Sequence, residues 1–232
     1  MVPFTAALAV FLALHLGLAA TGLRGALVGR IGEGPYRGLF ALASAAALIW
    51  LGFAFAALLR DPSDPLLGAL WSPPFWARHA GQTLVLLGFL LGVTGLVTPG
   101  PTLAGAEGLL KREEPARGVL RITRHPFLWG AALWAAGHLA MNGERFAVML
   151  FGGIGLMALL GTRSIDRKGA ARNPEDWARF AAVTSNIPFA AIVQRRNRLA
   201  LGEMGWRLIV ALAAFGAVAA GHAWLVGVAA FP

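Results

Sequence analysis

Five histidines and no cysteine set the chemistry open to this 232-residue chain. Without a thiol there are no disulfides, thiolate nucleophiles, Cys-ligated zinc ions, iron–sulfur clusters or thioether-linked haems. Metal chemistry must come from His15, His79, His125, His138 and His222, or from eleven carboxylates. His15 sits in Val10-Phe11-Leu12-Ala13-Leu14-His15-Leu16-Gly17, with apolar neighbours on both sides. A polar group in such a run is costly in lipid and faces the interior of a helix bundle. Two readings follow: a neutral imidazole hydrogen-bonded across helices, or a haem or metal ligand. His138 heads a stripe at helical spacing, Phe127, Ala131, Trp134, Ala135, His138 and then Met141 or Asn142. The alanines are expected to leave room beside the imidazole, and the aromatics to flank a flat ligand. Histidines on facing helices are a common way to hold haem iron, so His15 and His138 are the metal-ligand candidates, with Trp129 and Trp134 lining the pocket. His79, at a span edge, and His222 are rival partners for His138.

At the start of the same helix stands Arg124-His125-Pro126. Proline suits a first helical turn, where a missing N–H is harmless. The Arg124 and His125 side chains before it are candidates to bind an anionic group at the helix N-terminus, or else mark an ordinary helix start with interfacial charges.

The elements that position these residues are read from hydropathy. The chain is 57% hydrophobic and 13% charged, with 30 Gly and 8 Trp, and its mean hydropathy is +0.66. An average soluble domain carries about 25% charged residues. These values define an all-α, polytopic transmembrane bundle in the lipid bilayer, forming one domain over residues 1–232. A span needs about 20 apolar residues, and such runs fall near 3–21, 38–59, 79–98, 126–142, 145–162 and 206–230, giving about six spans. The fourth and fifth are short and joined by Asn142-Gly143-Glu144-Arg145, a tight-turn sequence. Gly88 and Gly92 have the spacing that lets helices approach closely.

Basic residues orient the chain. Loops 21–37, 99–125 and 163–207 hold seventeen Lys and Arg, while the opposite side has only Arg60, Arg78 and Arg145. The positive-inside rule then places both termini outside the cytoplasm, periplasmic if the membrane is a bacterial inner membrane. The +9 formal charge is thereby explained without nucleic acid. The first run lacks a basic flank before it and is expected to be retained rather than cleaved as a signal peptide. Segment 164–198 reads as an amphipathic anchor in the headgroup region, and 66–76, with Trp71, Phe75 and Trp76, as an aromatic-belt connection. In this topology His15 and His138 differ in depth by roughly 10–15 Å, at about 1.5 Å per residue. Two imidazoles and an iron span that distance, with the macrocycle nearly parallel to the membrane plane.

Taken in order, Arg124-His125-Pro126-Phe127-Leu128-Trp129-Gly130, Trp134, His138-Leu139 and Asn142-Gly143 resemble the NnrU family and its relative, zeta-carotene isomerase. The similarity extends over nearly the whole chain, through Gly32-Glu33-Gly34-Pro35-Tyr36-Arg37, Asp166-Arg167-Lys168 and Thr184-Ser185-Asn186-Ile187-Pro188-Phe189. It implies, for the isomerase branch, haem b with two histidine ligands, on the positions of His15 and His138. That branch is similar in having a thiol three residues before the second ligand; here the position is Ala135, a departure that argues against a ligand-switch mechanism. The implied function is a redox-type cis–trans isomerisation of a lipophilic polyene. For the NnrU branch the resemblance implies instead a non-catalytic membrane factor, partnered with respiratory or denitrification enzymes such as nitrite and nitric oxide reductases. Arg-His-Pro followed by a basic loop also resembles membrane methyltransferases using S-adenosylmethionine. Their paired glutamates after an arginine are missing, since Arg163 is followed by Ser164-Ile165-Asp166.

Overall fold

In the computed structural model, residues 2–18 and 22–231 are described. Among them the fold is helical, with a single isolated bridge between Ala69 and Glu144. Helix α1 (Val2–Leu12) continues as a π-helical stretch, Ala13–Leu18; α2 (Leu23–Ile31) and α3 (Glu33–Leu59) follow. Next come α4 (Phe75–Leu96), α5 (Pro126–Met141) and α6 (Arg145–Arg172). The short α7 (Pro174–Val183) and α8 (Ala190–Val193) precede α9 (Gly205–Val226).

Every expected apolar run has become a helix, but fewer than six are spans in their own right. Among the described residues four helices, α3, α4, α6 and α9, are long and apolar enough to cross a membrane, or five spans if the bent first segment is one. Its two pieces, Pro3–Leu18 and Leu23–Ile31, meet at 78°, and residues 19–21 of the expected first span lie outside the described residues. Helix α5 has only 16 residues, about 24 Å at 1.5 Å per residue, short of the hydrocarbon thickness of about 30 Å. Proline at its first position fixes where it starts, and Asn142 with extended backbone ends it.

The apolar surface lies largely outward. Phe53, Leu42, Ile209 and Trp224 are exposed, and Ala211 is the one buried residue assigned to α9. That suits helices whose solvent is lipid. The α4–α5 and α5–α6 pairings are antiparallel. Gly81 of α4 faces Gly137 of α5, Gly88 faces Gly130, and Gly95 faces Pro126. The partner of the small-residue stripe is therefore internal. Across α5 and α6, His138 meets Phe151, Ala135 meets Gly155, and Leu128 meets Gly161. Phe4 of α1 packs on Phe55 of α3 and Phe146 of α6. The basic connections, 22–32, 97–125 and 173–204, consequently gather at one end.

At the other end the two connections pair, as the Leu70 N–H donates to Gly143 O at 2.7 Å and the Arg145 N–H to Gly68 O at 3.2 Å. A side chain at Gly143 would collide with the Trp71 carbonyl, so the hairpin before α6 requires glycine. The 66–76 connection keeps Phe75 and Trp76 exposed, in keeping with an aromatic belt.

The 164–198 segment departs from a surface anchor. Helix α6 runs on to Arg172, and α7 turns its apolar face inward: Trp177 and Phe180 are buried against Leu110 and Ala116. Amphipathicity shows that a face needs cover and does not say whether lipid or protein supplies it. Of the large apolar residues in the segment's later part, Val183, Ile187, Phe189 and Val193 remain exposed.

The α4–α5 contact has little tolerance. A Cβ at Gly130 would stand 2.5 Å from the Gly92 backbone, so Gly130→Ala should drive the helices apart at a cost of about 1–3 kcal/mol. Gly152→Ala, with open space around its Cβ, should be neutral. Thermal denaturation in detergent separates the two.

Candidate functional site

Two sites emerge, one around His138 and His15 and the other around Asp166.

The His138 imidazole donates Nδ1–H to the Trp134 carbonyl at 2.9 Å. It stacks on Phe151 at 4.6 Å and lies 4.6 Å from the Trp134 ring. Ala135 is fully buried against Ala147 and Phe151. The room expected beside the imidazole at Ala135 is therefore filled by α6. His15 repeats the pattern. Its Nδ1 donates to Phe11 O at 2.8 Å, with Phe11 and Phe40 as ring neighbours at 4.5 and 5.3 Å. In both residues a carbonyl four residues back fixes the tautomer, and the Nε2 lone pair has no hydrogen-bond partner among the described residues. His15 lies within the π-helical stretch, a rare geometry that recurs at functional sites. The two imidazoles make no ring contact with each other among the described residues. Helix α6 is the element common to both, because Leu12 packs at Gly153, two residues from the Phe151 that stacks on His138.

Of the rivals, His79 stands apart from this pattern, whereas His222 shares the Nδ1–H bond to a backbone carbonyl but makes it six residues ahead rather than four back. His79 is exposed, edge-on to Phe75 at 4.9 Å. His222 donates Nδ1–H to Val228 O at 2.7 Å near the end of α9. Trp134 accompanies His138 as expected, whereas Trp129 lies with the buried group of Leu91, Val119, Ile122 and Met204.

The second site is a carboxylate hub. Asp166 of α6 accepts from Arg124 Nε and Nη2, both at 2.8 Å, in a two-pronged pair. It also accepts from His125 Nε2 at 2.6 Å and Asn186 Nδ2 at 3.0 Å. Trp129 Nε1 donates to Asn186 Oδ1 at 3.3 Å, and the Arg124 guanidinium lies over Trp177. Backbone bonds reinforce the hub: Arg124 N–H to Ser185 O and Phe189 N–H to Ile122 O, with Thr123 Oγ1 to Asn186 O and Thr102 Oγ1 to Arg124 O. Arg124 and His125, read from sequence as an anion site, are thus turned onto a carboxylate of the chain itself. Burial holds the His125 imidazole below its ordinary pKa, against the pull of Asp166. Phe189 adopts a left-handed backbone, φ 64°, held by its bond to Ile122.

Asp166 and Asn186 carry the hub without having stood out as site residues in the sequence. The signal available was an aspartate just beyond an apolar run, together with an Arg-His pair in need of a counter-charge.

An all-α membrane bundle with two separate imidazoles, each donating Nδ1–H to a carbonyl of its own helix, narrows the class. The chain belongs to the NnrU family, whose model, described as NnrU protein, matches residues 3–230. It is 38% identical over 82 residues to the chloroplastic 15-cis-zeta-carotene isomerase of Arabidopsis thaliana, and 35% identical over 82 residues to that of Zea mays. Each match covers 35% of this chain and 22% of the relative, so the chain spans about a fifth of the length of these relatives. No solved structure matches it.

Removing the hub's charge should be severe. Asp166→Asn leaves the largely buried Arg124 without its counter-ion, and losses of about 3–5 kcal/mol are usual for that. Asp176→Asn, in the exposed pair with Arg179, should cost less than about 1 kcal/mol. Chemical denaturation of the two variants in mixed micelles checks the contrast.

Proposed function

We propose that this protein is a haem b membrane protein that isomerises a cis double bond of a lipophilic polyene, with His15 and His138 as the axial ligands. The observation that carries the reading is the shared state of the two imidazoles. Each gives its Nδ1 proton to a backbone carbonyl and keeps Nε2 unprotonated and free, the arrangement in which histidine ligates iron. The donor set fits the group: two neutral nitrogen ligands, aromatic neighbours and no competing thiol. The names of the relatives supply the substrate class, a 15-cis carotenoid, and an apolar exterior gives such a molecule access from lipid. Haem b bound there supplies a redox-active iron that lowers the barrier to rotation about a polyene double bond.

The chain's own residues do the rest. The Phe11 and Trp134 carbonyls hold the two rings in one tautomer. Phe151, stacked on His138, fixes the ring plane, and Trp134 offers an apolar face to the polyene. The π-helical turn at His15 presents its imidazole without the regular helical ladder. Tight packing of Ala135 on α6 braces the turn carrying His138.

The test is turnover of 15-cis-zeta-carotene in liposomes holding the purified protein, read by chromatography of the isomers. Reduced protein should convert the cis isomer, and His15→Ala and His138→Ala should each abolish conversion while remaining folded. Conversion unchanged in either variant would contradict the ligand assignment.

We further infer that the basic end faces the cytoplasm. The natural lack of cysteine makes this measurable: Ser63→Cys should react with an impermeant maleimide in intact bacterial cells, and Gln194→Cys only after permeabilisation. The reverse labelling would invert the topology.

A further inference from the structure

At the basic end, where the 97–104 connection meets the ends of α4, α5 and α6, lies a half-open cavity of about 160 Å³. Cavities near 150 Å³ with apolar walls admit a benzene-sized molecule. Its walls include Leu103, Leu120, Phe127, Leu128 and Ile165. Three polar residues also line it, Thr98, Thr102 and His125, and Thr102 is satisfied by its bond to the Arg124 carbonyl. Thr98 and His125 are buried, at 6% and 2% exposure, and each carries a buried polar atom without a hydrogen-bond partner among the described residues, Thr98 Oγ1 and His125 Nδ1. An unsatisfied buried polar atom costs about 1–3 kcal/mol, so two beside one cavity call for an occupant.

The hub fixes what that occupant must offer. Asp166 is held by Arg124 in two-pronged fashion and accepts a hydrogen bond from His125 Nε2–H. A buried neutral imidazole that donates through Nε2 has a lone pair on Nδ1 and can only accept there. Thr98 can both donate and accept. A carboxylate or phosphodiester has no proton to give Nδ1, an anion would gain nothing from a cavity whose neighbouring Arg124 is already neutralised by Asp166, and a cation would meet Arg124 close by. A hydroxyl meets both needs, donating to Nδ1 and accepting from Thr98.

We propose that this cavity is a binding site for a neutral apolar molecule, or the end of one, about the size of a six-membered carbon ring and bearing one hydroxyl. The hydroxyl donates to His125 Nδ1 and accepts from Thr98 Oγ1. The site is distinct from the His15 and His138 pair, and the Asp166 hub acts in it as the positioning group that sets the His125 tautomer.

The experiment is ¹⁵N NMR of histidine-labelled full-length protein in a phosphocholine detergent, which brings no hydroxyl of its own. Cyclohexanol and methylcyclohexane are titrated in parallel, and the His125 signal is assigned by its loss in His125→Gln. Cyclohexanol should move the His125 Nδ1 resonance upfield saturably, and methylcyclohexane should leave it in place. Thr98→Val, which keeps the shape, should weaken the cyclohexanol effect about tenfold, the loss of one hydrogen bond. Equal response to both probes would overturn the proposal in favour of an unspecific apolar void. An Nδ1 resonance already at its hydrogen-bonded position and unmoved by cyclohexanol would overturn it in favour of a resident water. If His125→Gln does not fold, Thr98→Val alone decides, since unchanged affinity there also rejects the site.

Discussion

Asp166 is the interaction on which the basic end depends. One carboxylate gathers Arg124 and His125 from the start of α5 and Asn186 from the loop after α7. It therefore joins three segments that local sequence does not bring together. A buried ion pair is weak evidence for net stability, because desolvation offsets much of the attraction. Its value here is specificity. Arg124 has one well-placed counter-ion, so α5 enters the bundle at one angle and the 184–189 loop lies in one register over 121–125. The Thr123, Ser185 and Phe189 hydrogen bonds then follow from that placement.

The second constraint is steric. In lipid there is little hydrophobic gain in bringing two apolar helices together, so close packing of small residues drives their contact. Gly81, Gly88 and Gly95 on α4, with Gly130 and Gly137 on α5, bring the backbones within van der Waals contact. This lets a 16-residue helix sit firmly beside longer ones. Its opposite face is left to α6, where Trp134, His138 and Phe151 form one aromatic cluster. The glycine seam and the histidine site are thus two faces of the same helix.

Much of this was legible in sequence. Apolar runs located α3, α4, α5 and α9 to within a few residues at most ends, since burial in lipid and helix formation coincide there. They underestimated α6 by about ten residues, because hydropathy ends at the lipid boundary while helix formation continues through Arg163 to Arg172. Counting spans from hydropathy also overstated the bundle: α5 is short, and the first segment is bent. His138 and Trp134 were readable as a pair from helical spacing. The Asp166 hub was not, as its partners lie 41, 42 and 20 residues away. The inward face of α7 was hidden for a related reason, since its amphipathic pattern suits a membrane surface equally well.

The central claim is that His15 and His138 hold a b-type haem. It is tested most directly by the reduced-minus-oxidised visible spectrum of the detergent-purified protein, with haem content from the pyridine haemochrome. Close to one b-type haem per chain is expected, with the sharp low-spin bands of two nitrogen ligands in both redox states. A colourless protein after expression with added haem precursor would contradict it, and so would a high-spin spectrum.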